Sequence, residues 1–177
     1  SNNQLKIDKL FSCSVPSGVY KSGHIKDMDV ISSLIDDALK EHKITTKNLI
    51  GTMESMEIIK RDMTVPVLSY EDTLSYIQYE IEEYLPIDIS TYVLQFKEIR
   101  RRMEENTEKV DVIVYAFPRD LAVTYYDVFN KVKLNPCILD VYSNGIEKLF
   151  DTQLVNGVDA GDEPIAVVDF DEDTTII

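Results

Sequence analysis

Between residues 57 and 142, apolar and polar positions follow two alternating rhythms. Residues 57–65, "EIIKRDMTV", alternate along a strand-like run that stops at Pro66. Leu74, Ile77, Ile81, Tyr84 and Leu85 then recur at helical spacing. Ser69 stands before them as an N-cap, Asp72 takes the capping-box position, and Pro86 closes the helix. Residues 91–99 return to alternation, with Tyr92, Leu94 and Phe96 on one side. A polar connection, "RRRMEENTEK", leads to a second strand in which Val110, Val112 and Val114 point inward. Pro118 opens a second helix whose buried face is Leu121, Tyr125, Val128 and Val132, and residues 137–141 form a last strand. The order is strand–helix–strand, twice. Such a unit is expected to form one sheet with both helices on a face, a ferredoxin-like, split βαβ arrangement.

The flanks carry weaker rhythms. Residues 5–15 alternate loosely as a strand until "PSG" breaks it. Residues 27–42 place Met28, Ile31, Ile35, Leu39 and His42 on one helical face, with Asp27 or Asp29 to cap the first turn. "KNLIGTM", residues 47–53, reads as a strand. A short helix is expected from Asn144 to about Leu154, with Ile146, Leu149, Phe150 and Leu154 buried. "NGVDAGDEP" is a loop, residues 165–168 a strand, and the acidic run "DFDEDTT" follows.

Composition narrows the function. Of 177 residues, 44% are hydrophobic and 28% charged, which suits a packed core rather than disorder. The 32 acidic and 18 basic side chains give a net charge of −14, a poor match for nucleic acid or an anionic membrane. No apolar stretch is long enough to insert directly into a membrane. Cys13 and Cys137 lack metal or redox spacing and read as free thiols, Cys137 buried in "PCILDV". His24 and His42 read as surface histidines, so no metal site is expected. No Ser–His–Asp, Cys–His or Walker arrangement marks a catalytic residue. Ser1-Asn2 opens the chain in place of Met, and the chain reads as a fragment of a longer protein.

Several stretches, taken in order, resemble the PilM family of type IV pilus assembly proteins, which are actin-like and related to the FtsA proteins. They are "VPSGVYKSGHIKD", the run from "IIKRDMTVPVLSYEDTLSYIQYEIEEYLP" to "LQF", and "KVDVIVYAFPRDLAVTYYDVFNKVKLNPCILDV". The resemblance implies an α/β (α+β) chain, part of an actin-like ATPase subdomain. Residues 3–56 and 143–177 would belong to that subdomain, and 57–142 would be an inserted strand-helix-strand-strand-helix-strand subdomain. It further implies a cytoplasmic protein at the inner face of the membrane. Such a protein docks the cytoplasmic tail of a membrane-anchored PilN-like partner, contacts other pilus assembly platform proteins and self-associates. The family's nucleotide is ATP with Mg²⁺.

The acidic run bears on that nucleotide. In the family's second phosphate loop an Asp is followed by a hydrophobic residue, Gly and then Thr; Asp169, Thr174 and Thr175 fit, and Asp171 stands where glycine is expected. Phosphate cradles aim backbone N–H groups at the anion and need glycine for close approach, whereas three acids repel it. No cofactor is therefore expected in this chain. Two other readings stay open: an exposed hairpin turn, and a phosphotransferase motif of the haloacid-dehalogenase type with Asp169 and Asp171 around Mg²⁺. For the whole chain the readings are a pilus-assembly scaffold, a fragment of a nucleotide-binding ATPase, or a free-standing ferredoxin-like binding module. Arg100-Arg101-Arg102 reads as a self-paired hairpin tip or a contact for an acidic partner, and the acids of "EIEEYLPIDI" as a solvated face or a contact for a basic one.

Overall fold

In a computed structural model, residues 7–150, 154–155, 158–159, 166–170 and 175–176 are described. A miniature hairpin, β1 (Tyr20–Lys21) and β2 (His24–Ile25), comes first. Its turn, Ser22-Gly23, has positive φ at both positions, 50° and 87°. A Cβ on Gly23 would fall 2.7 Å from the Glu54 carbonyl oxygen, so only glycine lets the turn close on that backbone. Helix α1 (Met28–Glu41) follows, and the Asp27 carboxylate accepts the N–H of Asp29 and of Val30, each at 3.0 Å.

The strands of residues 57–142 divide between two sheets, where the sequence pattern led us to expect one. Strands β4 (Ile59–Pro66), β5 (Tyr92–Glu104) and β6 (Thr107–Pro118) make an antiparallel sheet in the order β4-β6-β5. Helix α2 (Tyr70–Tyr84) lies on one face of it. The Ser69 hydroxyl accepts the Asp72 N–H and donates to the Asp72 carboxylate at 2.8 Å. Val110, Val112, Val114 and Ala116 point at α2, where Val65, Ile77, Ile81 and Ile89 complete the core. Thr73 joins the buried face of α2, whereas Tyr84 is exposed beneath the Arg61 guanidinium, 5.3 Å away.

Helix α3 (Arg119–Lys131) leaves that unit. It packs on α1 and on a parallel pair formed by β3 (Asn48–Met53) and β7 (Asn135–Val141). Leu121, Tyr125, Val128 and Val132 are buried, as its periodicity predicts. Tyr125 donates its hydroxyl proton to the Gly23 carbonyl at 2.9 Å, and Lys131 pairs with Asp29, so α3 ties the hairpin to α1. The last strand of the repeat joins β3 because apolar Leu139 and Val141 are needed beneath α3, where Phe129 packs over Gly51.

Other expectations shift. Residues 7–15 form no strand: without a ladder partner among the described residues, Leu10 is 89% exposed. "RRRMEENTEK" is no loop. Strand β5 runs on to Glu104 and the chain reverses in two residues, Glu105 and Asn106, with φ of 49° and 64°. Cys137 is exposed, because the β3–β7 register slips there and leaves it out of the ladder. Helix α4 (Tyr142–Phe150) stops before Leu154, which pairs as β8 (Leu154–Val155) with β9 (Val158–Asp159). Residues 166–168 are not in a strand; pairing begins at β10 (Asp169–Phe170), antiparallel to β11 (Thr175–Ile176). Among the described residues no helix is long and apolar enough to cross a membrane.

Candidate partner-docking cleft

The odd-numbered residues of β6 point away from α2, and so do their partners Lys60, Asp62 and Thr64 on β4 and Lys97 on β5. Near Pro118 this outer face is covered, since Phe117 and Ile58 pack against Met53, Leu121 and Tyr125. Beyond Phe117, α4 approaches this face. One ion pair links the two, from Lys97 Nζ to Glu147 Oε1 at 3.0 Å. Both side chains are about half exposed, so the pair is a weak link that a partner can displace.

Tyr115 stands on this face, partly buried. Burial raises its phenol pKa above the ordinary value, and the carboxylates of Glu147, Asp140, Asp62 and Glu54 push it further up. Acids from four different parts of the fold thus act on one neutral hydroxyl, while Lys60 Nζ lies 5.9 Å from the ring centre. Asp140 is partly buried, which works to raise its pKa. Bonds from Lys148 at 2.7 Å, Asn144 at 2.9 Å and the Val141 N–H at 2.9 Å outweigh burial and hold it below the usual carboxylate range.

Two buried oxygens here have no hydrogen-bond partner: Glu54 Oε2 and Asn144 Oδ1. An unpaired buried acceptor costs about 1–3 kcal/mol, so a native chain rarely carries one without a use. Both atoms are acceptors, so the group that suits them is a donor. Met53 is level with Val141 in the parallel ladder, and Glu54 therefore leaves β3 beside the start of α4. The crevice beyond the carboxyl ends of parallel strands is where open α/β sheets hold ligands.

Toward the hairpin tip, the same face carries a different chemistry. Asp111 accepts Arg100 Nε at 2.7 Å, Arg102 Nε at 3.1 Å and the Thr64 hydroxyl at 2.8 Å. The Arg100, Thr64 and Arg102 bonds hold its carboxyl far below the usual range. Arg101 points to the α2 side and pairs with Glu98 at 3.1 Å. The arginine run is therefore largely self-paired, divided between the two faces of the sheet. An open cleft of about 500 Å³ lies beside this cluster, lined by Asp62, Thr64, Ile99, Arg100, Asp111 and Ile113 among others.

The residues singled out in the sequence are placed elsewhere. Asp169 pairs with Ile176 and Phe170 with Thr175 in the β10–β11 hairpin, while Asp171 to Thr174 lie outside the described residues. His24 Nε2 meets Glu57 Oε1 at 2.9 Å, and the His42 ring stacks on Phe11 at 4.0 Å. No group of three or more metal-ligating side chains occurs among the described residues. Glu54 and Asn144 carry no signal in the sequence, because each belongs to an ordinary strand end or helix start. Their convergence depends on β7 joining β3.

The sequence profile of the family "Type IV pilus assembly protein PilM" matches residues 1–177. The chain belongs to that family. A solved PilM-PilN type IV pilus biogenesis complex superposes with a TM-score of 0.70 over 80% of this chain, at 20% sequence identity. The match covers 42% of the chain in that complex, so the present chain spans less than half of that PilM relative's length. The fold is that of part of the actin-like PilM architecture, with mixed helices and sheets. Among curated proteins none matches.

Proposed function

We propose that this PilM-family chain is a scaffold in type IV pilus assembly. The outer face of β4–β6–β5, where α4 approaches it, docks the cytoplasmic tail of a membrane-anchored, PilN-like partner. The observation that carries this reading is the pair of buried, unsatisfied acceptors, Glu54 Oε2 and Asn144 Oδ1, near the face that carries Tyr115. A peptide supplies N–H donors at regular intervals, which is what such acceptors lack. Family membership and the PilN present in the matched complex support the choice of partner. On this reading the protein works in the cytoplasm, held at the inner face of the membrane by its partner's anchor, and links that partner to other assembly proteins.

A synthetic PilN-like tail peptide titrated calorimetrically is expected to bind, and Tyr115→Arg to weaken it at least tenfold. Undiminished binding by a folded Tyr115→Arg variant refutes the site.

The nucleotide reading draws less support. The β10–β11 hairpin is compatible with a phosphate turn in outline. Its connecting residues, Asp171-Glu172-Asp173-Thr174, bring three carboxylates and no glycine. That donor set does not fit a phosphate: with no cation between, like charges at 4 Å oppose each other by about 4 kcal/mol at a surface-like dielectric. We therefore assign no nucleotide to Asp169, Thr174 and Thr175.

A further inference from the structure

The tip end of the outer sheet face is basic on a strongly acidic molecule. By strand register, Arg100, Arg102 and Lys109 stand at this end with Glu104 and Asp111, while Lys60 and Lys97 lie farther along the face, level with Tyr115 and Ile113, and Lys97 is paired with Glu147; the chain as a whole has a net charge of −14. The charges at this end are not equally available. Arg102 is committed to Asp111, Thr64 and Glu104. Arg100 gives Asp111 only its Nε–H, remains 71% exposed, and keeps both Nη groups without a partner among the described residues. Asp111 is bonded from three sides and strongly ionised, so it fixes the Arg100 guanidinium without occupying the edge that grips carboxylates in pairs. Beside it lie two aliphatic side chains, Ile113 and the 49%-exposed Ile99. Ile99 sits at the bulge where β5 slips against β6 and is skipped by the ladder.

We propose that this cleft is a second docking position, for an acidic, extended segment of a partner protein, with a carboxylate on Arg100 and a neighbouring aliphatic side chain over Ile99 and Ile113. Charge complementarity selects that occupant. A basic segment meets the face's excess of cations, and a neutral one leaves the Arg100 Nη groups unpaired. The position lies about 13 Å along β6 from Tyr115, a span of four strand residues, and does not depend on the tail-docking reading.

The test is fluorescence polarisation of the whole chain with a labelled acetyl-Glu-Ile-Glu-Ile-Glu-Ile-amide peptide, against the same peptide with Gln for Glu. The acidic peptide is expected to bind, and the Gln peptide at least tenfold more weakly. Arg100→Gln is expected to cost at least tenfold, Ile99→Ser severalfold, and raising NaCl from 0.1 to 0.5 M to weaken binding, as expected for an exposed ion pair. Arg101→Gln removes the same charge from the opposite face and is expected to change little. Equal binding of the two peptides overturns the proposal. So does an Arg100→Gln variant that binds like wild type, or an Arg101→Gln loss as large as that of Arg100→Gln.

Discussion

Tyr125 shows how one side chain joins distant parts of the chain. Its ring is buried against Phe129 and Met53, and its hydroxyl reaches the Gly23 carbonyl at 2.9 Å. Burial raises its phenol pKa well above 10, and the contact with Tyr20 adds to the shift. The neutral phenol is thus favoured in the fold. This stabilisation is complete below the ordinary tyrosine value and is lost as pH rises above about 10, where the unfolded phenol ionises first. Tyr125→Phe keeps the ring but leaves the Gly23 carbonyl unpaired, and is expected to cost about 1–2 kcal/mol in urea unfolding at neutral pH. No change in midpoint would contradict the assigned bond. The apolar half of this contact was readable as the 121, 125, 128, 132 face of a helix. The hydroxyl's partner was not, because it lies 102 residues away on a hairpin signalled only by a Ser-Gly pair.

At the scale of elements, periodicity located helices and strands well and pairings poorly. Val110, Val112 and Val114 alternate because β6 is the central strand with one face under α2, a local property. Which sheet β7 joins is a nonlocal choice, made by packing under α3. Pattern alone reads the polar β5–β6 arm as a connection because its residues are charged, whereas a ladder with Thr64, Asp111 and the arginines pairs them across the strands. By its pairings β7 joins β3, and α3 packs on α1 and β7. A Phe129→Ala variant opens space over Gly51 and is expected to destabilise by about 3–5 kcal/mol. Amide hydrogen exchange is then expected to speed up in β3, α3 and β7 and to change little in β4–β6–β5. Equal acceleration in both sheets would show a single cooperative unit.

For the molecule as a whole, family membership was legible from degenerate stretches in a fixed order, while the approach of Glu54, Asp140 and Glu147 to Tyr115 was not, since it depends on β7 joining β3. The run between Phe170 and Thr175 carries three carboxylates and no glycine. Calorimetric titration with Mg-ATP is expected to show no binding in the micromolar range, and a micromolar Kd would reverse that assignment. The docking claim is tested most directly by mapping a ¹⁵N-labelled chain with a PilN-like tail peptide. The shifts are expected to concentrate on Glu54, Lys97, Tyr115, Asn144 and Glu147. Shifts confined to the exposed side of α2 or to the β1–β2 hairpin, with Tyr115 and Asn144 unmoved, would contradict the account.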